Sequence, residues 1–264
     1  MNYYEKKGIS QSFLKKWALS PAHAQVQHKS DSMSLGTLIH EILLPANVIS
    51  NEIATIEQLL DKAKYIVEPA ELMAECSTRA VTKYKDWKAE QTKEIIKLED
   101  WQACEVIQRN FNLFLANMKI DNIPLQLMFD HGEREIEMFC QYKNETLKGK
   151  ADWIYSDPFN DVVYLFDLKT TSNIHGVYWE VEKYKYHWQL PYYAYILDNS
   201  IYKNKVFKMF FVFIETSHPY YVRMVELSDM KAIAGQEAIL TTLDDYITRK
   251  DDVIMPFDSE VIVI

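Results

Sequence analysis

Apolar positions along this 264-residue chain change their spacing near Pro124. Before it they recur with the period of a helix that buries one stripe. Ile9–Leu19 is such a segment, with Ser10 placed to cap it and Ser20-Pro21 to close it. Gly36–Leu44 is a second short helix, stopped by Pro45. A long helical region is expected from about Arg79 to Met118, where Trp87, Ile95, Ile96, Trp101, Val106, Ile107, Phe111 and Phe114 form a broken apolar stripe.

After Pro124 the period falls to two. Glu135–Tyr142 alternates, with Ile136, Met138, Cys140 and Tyr142 on one face, as a half-buried strand does. Leu147–Tyr155 follows across the turn-like Lys143-Asn144-Glu145, which predicts a hairpin. Asp157-Pro158 breaks the chain, and Val162–Thr170 is apolar on both faces, like a fully buried strand. Tyr184–Leu197 predicts a helix with Pro191 in its first turn or at a kink. Val206–Glu215 and Tyr220–Glu226 predict two more strands, and Ser228 caps a last helix to about Arg249. Helices first, then strands and helices interleaved, point to an α/β (α+β) core with helical N-terminal additions. No repeat, low-complexity tract or Gly/Ser linker divides the chain. Residues 1–264 are therefore expected to form one domain, helical over 1–124 and sheet-bearing over 125–264.

Composition removes several classes. The three widely spaced cysteines, Cys76, Cys104 and Cys140, make neither a disulfide framework nor a zinc knuckle. No apolar run reaches bilayer length and the N-terminus lacks a signal-peptide core, so a reduced, cytoplasmic protein is expected, with no membrane partner. No glycine-rich phosphate loop supports an NTPase. The net charge of −9 speaks against a general nucleic-acid coat. Its distribution speaks less clearly: residues 1–30, 79–97 and 183–208 are net positive, while 51–76 and 226–264 hold the acids. An acidic protein can still present a positive face to a polyanion.

The chemistry concentrates in Lys148–Lys169. Asp167 and Lys169, two apart on a predicted strand, share one side of the sheet with apolar Val163 and Leu165. A carboxylate and an ammonium there are costly unless paired or working. Asp152 lies on the preceding strand, where adjacent pairing would bring it alongside Asp167. Two carboxylates with a lysine at hand suit Mg²⁺ and hydrolytic chemistry on a phosphate. The same residues also fit a structural Asp–Lys pair beside an unrelated surface Asp152. His40 on an otherwise apolar helix is a candidate metal ligand or a satisfied core residue. Gln189, an amide in an aromatic helix, needs partners, and Glu135 begins the strand beside Asp152.

His40 in Gly36-x-x-x-His40, Asp152 in Gly149-Lys150-Ala151-Asp152, Asp167-Leu168-Lys169-Thr170-Thr171 and Tyr186…Gln189…Tyr192-Tyr193 resemble the PD-(D/E)XK nuclease superfamily, RecB-like branch. Ile9–Leu14, Ser20–His23, Ser34–His40 and Thr82–Lys85 bring the resemblance closer to the RecE-type exonuclease domain. These anchors run from residue 9 to about 195. Ala151 stands where the superfamily name has proline.

The resemblance implies a PD-(D/E)XK core, a central mixed sheet flanked by helices. It implies that Asp152, Asp167, His40 and the Leu168 carbonyl hold Mg²⁺, with Mn²⁺ able to substitute. Lys169 would be the catalytic lysine, Gln189 would hold the scissile phosphate or the lysine, and Glu135 would stand behind the metal ligands or bind a second metal. Glu41 is expected to point away to solvent or a salt bridge. The activity implied is 5′→3′ digestion of linear double-stranded DNA from its ends. Mononucleotides are released and a 3′ single strand is left for recombination by an annealing protein of the RecT type. A ring-shaped homo-oligomer is implied, with Lys15, Lys16, Arg79, Lys83 and Lys85 as candidate phosphate contacts. The alternatives are a structure-selective or sequence-specific endonuclease of the same fold, or an inactive DNA-binding subunit. An iron–sulfur relative would need a fourth cysteine.

Overall fold

The computed structural model describes residues 3–25, 35–44, 61, 64–76 and 78–252. The helix-period segments form α1 (Gln11–Trp17), α2 (Pro21–Gln25) and α3 (Leu35–Leu43). Ser10 caps α1, its hydroxyl accepting from the Phe13 N–H at 3.3 Å. The expected stop at Pro45, and Ser34 ahead of α3, lie outside the described residues.

The single long helix expected over 79–118 is a helix, a strand and a helix. After β1 (Tyr65–Val67) and α4 (Ala70–Glu75) come α5 (Thr82–Ala89), β2 (Glu94–Ile96) and α6 (Leu98–Asn117). β2 pairs in parallel with β1, placing Ile95 beside Ile66 and Ile96 beside Val67. Adjacent β-branched residues favour a strand, but the partner that makes one lies far outside any local window. Glu68, next to β1, ties this region together. Its buried carboxylate accepts from Arg79 Nε and Nη2 (2.7 and 2.6 Å), Tyr84 Oη (2.6 Å) and the Leu98 N–H at the start of α6 (3.0 Å).

A small antiparallel pair, β3 (Lys119–Ile120) and β4 (Ile123–Pro124), leads into α7 (Leu125–His131). Then come β5 (Glu133–Tyr142), β6 (Glu145–Ser156) and β7 (Val162–Thr171). The next elements are α8 (Val177–Lys183), a 3₁₀ turn (Tyr186–Trp188) and α9 (Gln189–Asp198). The last elements among the described residues are β8 (Val206–Glu215), β9 (Val222–Glu226) and α10 (Asp229–Arg249), capped by Ser228 as expected. Pro191 sits in the first turn of α9, where its missing N–H is no loss. Among the described residues the main sheet runs β5-β6-β7-β8-β9, with β7 and β8 parallel and the other neighbours antiparallel. This is the α/β core that the residue pattern predicted, built as the central mixed sheet flanked by helices that the family resemblance implied. Among the described residues no helix is long and apolar enough to cross a membrane.

Both faces of the sheet are covered. Met138, Cys140, Leu147, Ala151, Val163, Leu165, Phe211 and Phe213 pack with α1, α9 and α10. Trp153, Tyr164, Phe166, Leu168, Phe210 and Val212 pack on the other face with α3, α6 and α7. β6 belongs fully to β5 but only briefly to β7, from Trp153↔Phe166 to Ser156↔Val163. Beyond that the two strands separate. The open edge of β6 is partly filled by Ile9, whose N–H donates to Thr146 O and whose carbonyl accepts from the Lys148 N–H, both at 2.8 Å. Tyr192 Oη also donates to the Ile9 carbonyl, at 2.6 Å. The segment ahead of α1 is thus seated inside the fork.

Two predictions follow from these contacts. A Cβ on Gly235 of α10 would lie 2.0 Å from the His187 carbonyl oxygen in the 3₁₀ turn. Gly235→Ala is therefore expected to destabilise by about 1–3 kcal/mol in denaturant titrations; an unchanged midpoint would mean the two elements are not in contact. Burial pushes the Glu68 carboxyl up, but Arg79, Tyr84 and the Leu98 amide hold it down at about 2. A depressed carboxylate stabilises above its unfolded value and loses that contribution as pH falls. Glu68→Gln should lower stability by about 1–3 kcal/mol at neutral pH, with the gap to wild type closing as pH drops from 4.5 to about 2.

Candidate active site

The fork between β6 and β7 gathers the chemistry. Continued by one residue, the β6–β7 register would set Asp152 opposite Asp167. The ladder stops there instead, and the Leu168 N–H donates to Asp152 Oδ2 at 2.8 Å. On the other side of β6, the register leaves Glu135 across from Asp152. Glu135 has a left-handed backbone (φ 56°), a conformation that non-glycine residues rarely adopt. The strand alternation inverts at this point. Ala151 faces the α9 side, whereas Trp153, one pleat on, faces the α7 side, where its indole N–H donates to the Met128 carbonyl at 3.1 Å.

His40, on the buried side of α3, enters from the opposite face of the sheet. Its Nδ1 lies 3.7 Å from Asp152 Oδ2. Ligand atoms of His40, Glu135 and Asp152 all lie within 4.8 Å of one another. Burial lowers the pKa of His40, Asp152 raises it, Lys169 lowers it, and a hydrogen bond to the main chain of Leu168 raises it; the net direction is down. Two carboxylates and an imidazole form a donor set that fits Mg²⁺ or Mn²⁺.

Asp167 lies outside that cluster, 1% exposed. Its Oδ1 accepts from Gln189 Nε2 at 2.6 Å and its Oδ2 pairs with Lys169 Nζ. Burial drives the Asp167 carboxyl upward, Lys169 opposes it and Asp152 adds to it. Burial works against the Lys169 ammonium and Asp167 sustains it, leaving its pKa raised. The Tyr186 ring lies 5.0 Å from Lys169 Nζ and 5.5 Å from Lys15 Nζ. Burial and then Lys169 depress the Lys15 pKa to about 8, against the pull of Asp167. The structure therefore brings together Asp152, Asp167, Leu168, Lys169, Gln189, His40, Glu135 and Lys15.

Other expected residues are engaged differently. Arg79 spends its donors on Glu68 and Glu99, and Lys83 pairs with Glu75. Lys16 stands on α1 next to Lys15, and Lys85 is exposed on α5. Glu41 points away from His40, accepting from Lys64 Nζ (3.0 Å) and Tyr65 Oη (2.9 Å), as its helix position required. Two participants went unassigned in the sequence. Lys150 pairs with Glu135 and lies two residues before Asp152 on one strand face, a spacing that could have flagged it. Tyr193 accepts from Gln189 at 3.1 Å, and its position four residues on along a helix carried the same signal.

Comparison with known proteins agrees with this geometry. Residues 10–262 match the model of a family described as a PDDEXK-like domain of unknown function (DUF3799). No curated protein matches the chain. A crystal structure named "Putative exonuclease", from Eubacterium rectale, has a TM-score of 0.60 at 14% identity. The match covers 99% of this chain and 89% of that one, which is a shared fold. A second solved structure, SSO0001, aligns over 93% of this chain and 88% of its own at 15% identity, with a TM-score of 0.30, too low for a shared fold.

The donor set makes a direct prediction. Mg²⁺ or Mn²⁺ at about a hundred times its dissociation constant should stabilise the protein by about 2.7 kcal/mol, raising its melting temperature. Asp152→Ala and Glu135→Ala should abolish that rise. A melting temperature indifferent to either cation would remove the metal assignment.

Proposed function

The chain belongs to this PDDEXK-like family, and from that premise we propose that it is a divalent-metal-dependent nuclease acting on DNA at the β6–β7 fork. One observation carries the reading. Asp152 and Asp167 come to the fork one residue beyond the last β6–β7 pair, with Lys169 paired to Asp167 and Gln189 bracing it. Nothing in packing requires two carboxylates and a lysine there, and their burial is costly unless they work.

A divalent cation held by Asp152, Glu135, His40 and the Leu168 carbonyl supplies Lewis acidity and an acidified water. The protein's own groups do the rest. The Leu168 N–H fixes the Asp152 carboxylate, and Gln189 fixes Asp167, so neither must reorganise during the reaction. Lys169, kept charged by Asp167, orients the attacking water and offsets negative charge building on the phosphoryl oxygens. The water oxygen bonds to phosphorus, the bond to the leaving sugar oxygen breaks, and the proton lost by the water is balanced by one gained at that oxygen.

The finer reading is an exonuclease that uses Mg²⁺, or Mn²⁺ in its place, to digest linear duplex 5′→3′ from its ends. It would release mononucleotides and leave 3′ strands for a RecT-type annealing partner, working as a ring of identical subunits. The RecE-like anchors from Ile9 onward support it, and so does the fold shared with the Eubacterium rectale protein named as an exonuclease. Of the basic residues proposed as phosphate contacts, Lys15 fits best, since Ile9 anchors the start of α1 in the fork and Lys15 shares the Tyr186 ring with Lys169. Lys16 on α1 and Lys85 on α5 are weaker candidates. Arg79 and Lys83 would first have to leave their carboxylates.

The test follows acid-soluble nucleotide from linear and covalently closed circular duplex with Mg²⁺. Linear DNA should be consumed, with chelator, Asp152→Ala, Asp167→Ala and Lys169→Ala each lowering the rate by about 10³-fold or more. Digestion of the closed circle would replace the exonuclease with an endonuclease, and no digestion by wild type would leave a DNA-binding subunit. Labelling one end at a time reads the polarity.

A further inference from the structure

Residues 183–188 read Lys-Tyr-Lys-Tyr-His-Trp, alternating cations with aromatic rings between α8 and the helix that carries Gln189. Tyr186 lies between Lys169 and Lys15, and its ring rests 6.0 Å from Phe211 and 6.3 Å from Phe213 in the core. Tyr184 is the outward step from it: the two rings are 5.5 Å apart, tilted by 38°, and Tyr184 is 43% exposed. Lys183 Nζ stands 5.1 Å from the Tyr184 ring. Lys185 takes a left-handed backbone (φ 51°) and sets its Nζ 4.3 Å from the Trp188 ring. Rings of this size are usually buried, and a left-handed lysine is strained.

The charges nearby are not balanced within the segment. Among the described residues no carboxylate forms an ion pair with Lys15, Lys183 or Lys185. The neighbouring acids are already taken: Glu180 accepts from Thr171 Oγ1 at 2.6 Å, and Glu182 pairs with Lys231 and lies 3.8 Å from His187 Nδ1. An exposed tyrosine ring flanked by cations without a carboxylate partner matches an unpaired nucleotide strand, which offers base faces and phosphates in alternation. A closed duplex hides its base faces and fits less well.

We infer that Lys183, Tyr184, Lys185 and Tyr186 form a single-stranded DNA track leading into the fork, with bases stacking on Tyr184 and Lys15, Lys183 and Lys185 on the phosphates. The inference rests on the nuclease reading for its orientation toward Lys169, but the binding itself does not.

The probe is a fluorescent oligothymidylate of about ten nucleotides, read by anisotropy in chelator so that no strand is cut. Wild type should bind, and Tyr184→Ala should weaken binding by about tenfold. Tyr184→Phe should restore it, while Tyr184→Leu, which keeps the bulk but lacks a ring, should fail like alanine. Lys183→Ala and Lys185→Ala should each lower the slope of log affinity against log salt by about 0.7. Thermal melts confirm that each variant is folded. Equal binding by wild type and the folded leucine variant would overturn the track, as would unchanged salt slopes. Tighter binding of an oligouridylate would overturn the assignment to DNA. A wild type that binds the probe yet cuts no DNA with Mg²⁺ or Mn²⁺ sinks the nuclease reading and leaves the track. One that cuts but ignores the probe sinks the track alone.

Discussion

Strands β6 and β7 stop pairing one residue before they would set Asp152 against Asp167, and the site depends on that interruption. Like charges directly opposite on neighbouring strands destabilise a sheet. Separation relieves the conflict and frees main-chain groups, which must then find other partners. The Leu168 N–H takes the Asp152 carboxylate, and part of the open β6 edge takes Ile9. Because the sheet is open there, His40 can reach Asp152 from one face while Lys169 and Gln189 hold Asp167 from the other. A continuous ladder would keep those groups apart.

The electrostatics have the same origin. Glu135, Asp152 and Asp167 meet Lys150 and Lys169, so the pairing leaves one carboxylate without a cation. His40 does not make up the difference, since burial lowers its pKa and favours the neutral form, which is the form that ligates metal. Burial is the main cause of the upward drift of Asp167, and Asp152 adds to it, against the pull of Lys169 and Lys15. A divalent cation at His40, Glu135 and Asp152 would give Asp152 the cationic partner that no lysine supplies, and oxygen-rich donors suit a hard one.

Much of this was legible in the residue pattern. Alternation from Glu135 to Tyr142 and the apolar run from Val162 carry the hairpin and the buried strand, because strand periodicity is local. The Asp167–Lys169 spacing put both on one side for the same reason. What failed to show was non-local. Ile95 and Ile96 belong to a helical stripe until Tyr65–Val67 arrives to pair with them. Gly235 marks a close approach to His187 that no window connects. Glu135 was expected behind the ligands or on a second metal, and its place in one cluster with His40 and Asp152 goes with a left-handed backbone and an inverted alternation, features that strict alternation cannot encode.

The net charge of −9 illustrates the limit of averages. Arg79, in one of the basic stretches, is the strongest base among the candidates, yet its charge is consumed by Glu68 and Glu99. Lys15 is a single residue in a helix of seven, and it acquires its position because Ile9 is hydrogen-bonded into the fork and Ser10 caps the helix that follows. A cation matters to a polyanion only where no carboxylate has already claimed it, so the potential that a substrate meets is set by pairing. Pairing is decided by backbone that the charged residues do not themselves control. Near Asp167 that backbone is the fork, and the same interruption that separates two carboxylates admits Ile9, which anchors the helix bearing Lys15.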